Sequence, residues 1–254
     1  MNLVSKSLLI SKLKASGFHL LVTLIVALCS GILVFQVWFP GRLSEMLGGI
    51  DLYILVLSVE VTLGPLMSLV IFNPSKPRSE LIRDYAIVGV IQLSALIYGL
   101  SVVSQSRPVF LVFVKDRIEV VSSLEMDGAD LLAANDKRFS KKSWFGPVEI
   151  CSQFPSDPQE RSDLLFSAVD GKDIQMFPKY YRECTDGELI ARSFSKDLLL
   201  SETVRANNPD FDFTQLPKED FVWLPVKHRF GAWVRVYPNK SDESFLYFPI
   251  EPWQ

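Results

Sequence analysis

The chain has 254 residues, 48% of them hydrophobic and 22% charged, with a formal net charge of −3. A pI near 5.5 leaves no basic footprint for nucleic acid, and the mean hydropathy of +0.22 averages two unlike parts. Up to about Arg107 apolar runs are long and charges sparse, whereas beyond it Asp, Glu, Lys and Arg recur every few residues, so the boundary falls near Ser104-Gln105-Ser106-Arg107-Pro108.

A helix needs about 20 apolar residues to cross the hydrocarbon core. Phe18 to Phe39 supplies that length without a charged residue and stops at Pro40-Gly41. Leu52 to Phe72 supplies a second, interrupted only by Glu60 and ended by Asn73-Pro74. Tyr85 to Val103 supplies a third, uncharged. Spans at about 18–39, 52–72 and 85–103 therefore predict a membrane protein whose residues 1–105 form three transmembrane α-helices. Buried core helices of a water-soluble protein are the competing reading, which three such lengths so close together disfavour. The first run is too long for a signal-peptide core and lacks a small-x-small cleavage pattern, so a retained anchor is expected.

Lys and Arg in short loops set orientation. Lys6, Lys12 and Lys14 precede the first span, and Lys76, Arg78 and Arg83 lie between the second and third, against Arg42 alone in the first loop. The N-terminus is expected in the cytoplasm and residues 106–254 in the periplasm. Arg107, Lys115 and Arg117 run against the rule, but long domains translocate largely regardless of charge. Trp38 and Phe39 suit the outer interface.

Glu60 is the informative residue inside the spans. At ~1.5 Å per residue it lies roughly 12–18 Å from either end of its helix, a depth that Ser30 and Tyr98 share. A carboxylate there faces other helices or a partner. Three readings stay open: a hydrogen bond within the bundle, contact with a polar group of a partner helix, or a proton relay. Gly64-Pro65 follows one turn on, and proline kinks a helix by removing a backbone donor. Glu60, Gly64, Pro65 and Tyr98 are the candidate partner-binding residues. Asp51 and Asp84 are expected as caps of the second and third spans.

Residues 106–254 suffice for one core. Val109 to Val114 and Ile118 to Val121 flank a tight turn and read as paired strands. Ser156-Asp157-Pro158 starts a helix to about Val169, with Gly171 past its end. Ser195 is expected to cap another helix through about Ala206. Phe221 to Leu224, Ala232 to Tyr237 and Phe245 to Phe248 read as a meander, turning at His228–Gly231 and at Asn239–Asp242. A soluble α+β domain with a mostly antiparallel sheet is expected. An exported compartment is oxidising, so Cys151 and Cys184 are expected to pair, with two free thiols as the competing reading. Closing a loop of about 34 residues contributes roughly 3.5–4 kcal/mol in the chain-entropy picture. Cys29 reads as a small apolar packer.

The two histidines, His19 and His228, lack metal-ligand spacing, and no Gly-x-Ser-x-Gly, Walker A or Gly-x-Gly-x-x-Gly motif occurs. No catalytic residue, metal or cofactor is expected, and an enzyme is disfavoured.

Val59-Glu-Val-Thr-Leu-Gly-Pro-Leu66, Leu69-Val-Ile-Phe-Asn-Pro74, Leu81-Ile-Arg-Asp84, Gln92, Ala95 to Gly99, Arg107 to Phe113 with Asp116-Arg117, and the closing Pro249-Ile-Glu-Pro-Trp253 resemble the TfpX/TfpZ type IV pilin accessory proteins. The likeness covers nearly the whole chain and is strongest over residues 51–122, although Glu60 stands where Asp is equally expected. It implies a bacterial inner-membrane protein, chaperone-like rather than enzymatic, that binds a type IV pilin (the major pilin) and assists its stability or assembly into the fibre. Membrane lipid and other pilus-assembly proteins are further implied partners; nucleic acid is not. The alternative is a membrane-bound enzyme that modifies pilin or another periplasmic substrate.

Overall fold

The structure is a computed structural model that describes residues 3–238 and 244–253. The chain divides into two compact units, Met1–Ser44 with Gly48–Gln105, and Glu45–Leu47 with Ser106–Gln254.

The first unit is helical: α1 (Leu3–Ile32), continued by a π-helical turn at Leu33–Trp38, α2 (Leu43–Met46), α3 (Gly49–Ile71) and α4 (Arg78–Ser106). In the π turn Phe39 N–H reaches the Val34 carbonyl at 2.8 Å, five residues back. The helices at Lys6–Trp38, Gly49–Ile71 and Arg78–Ser106 are long and apolar enough to cross a membrane. α1 and α4 begin earlier than hydropathy suggested, because Lys and Arg are good helix formers and α4 starts directly after Pro77.

Two expected caps are corrected. Gly48, at φ +67°, caps α3, so Asp51 lies inside the first turn, where the helix dipole favours a carboxylate. Asp84 lies within α4 and accepts from Lys76 Nζ at 2.7 Å.

The second unit is built on one open sheet of eight strands: β1 (Pro108–Val114), β2 (Arg117–Ser122), β3 (Val148–Ser152), β4 (Tyr181–Arg182), β5 (Phe194–Ser195), β6 (Val222–His228), β7 (Gly231–Tyr237) and β8 (Leu246–Phe248). Their order is β4-β3-β1-β2-β6-β7-β8, with β5 beside β6. β1 and β2 form the expected hairpin, turning through Lys115 at φ +58°. β6, β7 and β8 form the meander. The turn expected at 239–242 lies outside the described residues.

The expectation of a mostly antiparallel sheet is corrected: the sheet is mixed. β3 runs parallel to β1, and β6 parallel to β2, so both strands of the central hairpin carry a parallel neighbour. Such neighbours need crossover connections, and short elements fill them: α5 (Gly128–Leu132), α6 (Pro158–Val169), α7 (Glu188–Ala191), α8 (Lys196–Leu199) and α9 (Glu202–Asn207). Asp157 caps α6, accepting from Glu160 N–H at 3.0 Å. The single helix expected from Ser195 is instead two, α8 and α9, the second capped by Ser201. Every residue of β1 is buried, as suits a strand covered on both faces. Val112, Ile150, Leu164 and Tyr181 belong to one core cluster, and Phe221, Trp223, Val234 and Ile250 to a second.

The sheet curls strongly. Arg235 on β7 is 0% exposed, and its Nη1 lies 2.6 Å from Glu149 Oε2 on β3. A flat sheet would hold these strands about 19 Å apart, four steps of ~4.8 Å. Tyr247 and Tyr237 hydroxyls accept from the same guanidinium at 2.7 and 3.3 Å, and Phe245 stacks over it.

Cys151 on β3 and Cys184 just beyond β4 are joined, with Cα atoms 5.0 Å apart. Arg182 grips Glu188 at 2.9 and 2.6 Å on the Cys184 loop and holds that carboxyl down at about 2. Alkylation of denatured, unreduced protein followed by peptide mapping should label Cys29 and neither Cys151 nor Cys184. Labelling of both of the latter would contradict the pairing.

Candidate functional site

The polar groups of the first unit point inward. Along α1, Ser16, Thr23 and Ser30 are each at most 9% exposed, while Leu24 and Leu28 are 48% and 67% exposed. The spacing 16, 19, 23, 30 puts His19 on the same stripe, since residues three, four and seven apart share a helix face. α3 repeats the pattern, with Tyr53, Gly64 and Ser68 buried and Val70 74% exposed. A helix packed against water shows the reverse arrangement.

His19 ties the three long helices together. Its Nε2 lies 2.8 Å from Gln92 Oε1 on α4, and its Nδ1 2.6 Å from Ser68 Oγ on α3. An amide oxygen only accepts, so Nε2 carries the hydrogen and Nδ1 accepts from the Ser68 hydroxyl. Beside it, Ser16 Oγ donates to the Pro65 carbonyl at 2.9 Å. Further along, Tyr53 on α3 reaches α1: its hydroxyl lies 2.9 Å from Ser30 Oγ and donates to the Ala27 carbonyl.

Between these two knots lies a cavity of about 220 Å³ lined by residues of all three helices, among them His19, Thr23, Ser30, Tyr53, Glu60 and Gln92. A wider cavity of about 700 Å³ shares His19, Val22, Gly89 and Gln92 with it and runs on past Phe18 to Lys14 and Ser11. Glu60 is half-buried, and its carboxylate has no hydrogen-bond or ion-pair partner among the described residues.

Of the four residues singled out in the spans, three gather here. Glu60 lines the smaller cavity, the Pro65 carbonyl is bonded by Ser16, and Gly64 faces His19 and Gln92. Tyr98 stands apart, 72% exposed and outside the cavity lining. Sequence reasoning took His19 only as a histidine without metal-ligand spacing and Gln92 only as part of a family likeness, and it passed over Ser16 and Ser68. The signal was present as polar residues at helical spacing inside apolar runs. Among the described residues no cluster of His, Cys, Asp or Glu is placed to hold a metal ion.

Known proteins bear on this arrangement. Residues 7–48 match the family described as fimbrial assembly protein FimB. Over 238 residues the chain is 31% identical to the fimbrial assembly protein, serogroup E1, of Dichelobacter nodosus, covering 90% of this chain and 91% of that protein. The chain belongs to the FimB fimbrial assembly protein family. Its serogroup I relative from the same organism is 34% identical over 165 residues, 65% of this chain and 64% of that protein. The relative of serogroups C1 and C2 is 38% identical over 109 residues, 43% and 83%. No solved structure matches this FimB-family chain.

Glycines fix how closely the helices approach. A Cβ on Gly99 of α4 would stand 2.7 and 2.8 Å from the two methyls of Val56, whose branched side chain cannot swing clear, whereas a Cβ on Gly89 meets nothing within 4 Å. Gly99→Ala should therefore destabilise the full-length protein in detergent by about 1–3 kcal/mol in denaturant unfolding followed by helical signal, with Gly89→Ala near neutral. Equal effects would refute this packing.

Proposed function

We propose that this FimB-family chain is an inner-membrane accessory protein that binds a type IV pilin and assists its assembly into the fibre without catalysing a reaction. The observation that carries the proposal is the near end-to-end relation to a protein named for fimbrial assembly. Residues 1–105 span the membrane and 106–254 lie in the periplasm, with the N-terminus in the cytoplasm. Inward polar and outward apolar side chains support the bilayer as solvent for the helices, because apolar groups there need no shelter from water. The Cys151–Cys184 bond supports an oxidising compartment for the second unit.

A pilin held in the membrane presents an apolar helix and an exported head, and a chaperone-like partner with a helical bundle and a periplasmic domain touches both. The TfpX/TfpZ likeness agrees with that division. On this reading Glu60 contacts pilin from the cavity, Gly64 and Pro65 shape α3 beside it from inside the bundle, and Tyr98 contacts either pilin or lipid.

Polar contacts between membrane helices contribute about 0.6–2 kcal/mol, a threefold to thirtyfold change in binding. Glu60→Gln should weaken pilin capture toward the lower end and Glu60→Leu toward the upper, at matched membrane levels of each variant. Pull-down of pilin from solubilised membranes measures this. Absence of pilin from the wild-type pull-down overturns the function; full retention by Glu60→Leu moves the interface elsewhere.

A further inference from the structure

We propose that the cavity at Glu60 is a binding site for a primary ammonium group, presented by a partner's membrane helix. This rests on the pilin-binding reading and deepens it by naming the chemistry recognised.

The cavity is rich in acceptors. Ser30 Oγ donates to the Val26 carbonyl at 2.9 Å and the Tyr53 hydroxyl to the Ala27 carbonyl; the two oxygens lie 2.9 Å apart, and with both hydrogens directed at carbonyls each keeps a lone pair for an incoming donor between them. His19 has spent both nitrogens on Ser68 and Gln92. Glu60 adds a carboxylate with no partner among the described residues, and no Lys or Arg lines the space. A lone carboxylate surrounded by neutral oxygens and apolar walls is matched in charge by one cation. An ammonium offers three donors in a compact head and no acceptor, which suits a cavity whose lining carries one carboxylate and the hydroxyl oxygens of Ser30 and Tyr53.

Size favours an organic cation over a bare ion. An apolar cavity of about 150 Å³ holds benzene, and this one measures about 220 Å³. Val22, Val26, Val56 and Leu57 supply apolar wall for the carbons behind the charge. The wider cavity, which shares His19 and Gln92 with this one, gives a lateral way in between α1 and α4.

The probe is butylammonium chloride, with 1-butanol and sodium chloride as controls at equal concentration, on the full-length protein in detergent. Dicyclohexylcarbodiimide adds to membrane carboxyls, leaving an N-acylurea; an amine already beside the activated carboxyl forms the amide instead and releases dicyclohexylurea. Mass spectrometry follows Glu60 relative to Asp51, which lies outside the cavity lining. At about nine times its dissociation constant, butylammonium should slow acylurea formation at Glu60 about tenfold, or replace it with the butylamide, and leave Asp51 unchanged. Neither butanol nor sodium should do so. Tyr53→Phe and Ser30→Ala should each weaken the protection. Labelling of Glu60 at the butanol rate, or equal protection by sodium, overturns the proposal. Pilin capture by the same preparation separates the two ideas: capture without butylammonium protection leaves the pilin reading standing and the ammonium site refuted.

Discussion

Everything in the first unit follows from one requirement, that polar side chains carried on long apolar helices find partners inside the bundle. His19 meets it for three helices at once, since an imidazole is the one side chain with a donor and an acceptor on opposite sides of a rigid ring. Fixing Ser68 on one side and Gln92 on the other sets the register of α3 and α4 against α1. Tyr53 fixes α3 against α1 a second time, near Ser30. Two fixed points leave the stretch between them to the shapes of the side chains. There, small residues and an unpaired Glu60 leave a cavity rather than a packed seam.

The second unit answers a different requirement. A sheet with strands running to both sides of a central hairpin must be held at its margins. On one side the Cys151–Cys184 bond fastens β3 to the loop beyond β4. The curl is held by Arg235, whose charge is buried among Glu149, two tyrosine hydroxyls and the Phe245 ring. Burying a guanidinium is costly unless charge and hydrogen bonds both compensate it, so those aromatic and acidic neighbours are a condition of the fold. Together with the FimB relationship, a disulfide-braced sheet unit and a helical bundle with an internal polar site suit a protein of fimbrial assembly.

Some of this was legible from residue order alone. Apolar runs of helical length show themselves by hydropathy, and the Lys115-Asp116 turn and the Ala232–Tyr237 strand by local alternation. The Cys151–Cys184 pair was expected from the oxidising compartment that three spans imply, and the two are joined. What escaped depends on distant partners. β3, β4 and β5 are short, and their pairing with β1 and β6 is a property of the assembled sheet, as is the mixed strand direction. Asp51 and Asp84 looked like caps because hydropathy marks where apolarity begins, whereas Gly48 and Pro77 mark where the helices begin. Depth reckoning along the helices put Ser30 and Glu60 at one level, and both line one cavity. It put Tyr98 there too, because depth says nothing of direction around a helix.

The central claim is that the helical bundle recognises the partner and is more than an anchor for residues 106–254. Its most direct test is to attach residues 106–254 to an unrelated single-span anchor, match its membrane level to wild type, and count surface pili in a strain lacking the native protein. The account predicts that piliation stays at the level of the deletion strain. Full restoration would contradict it.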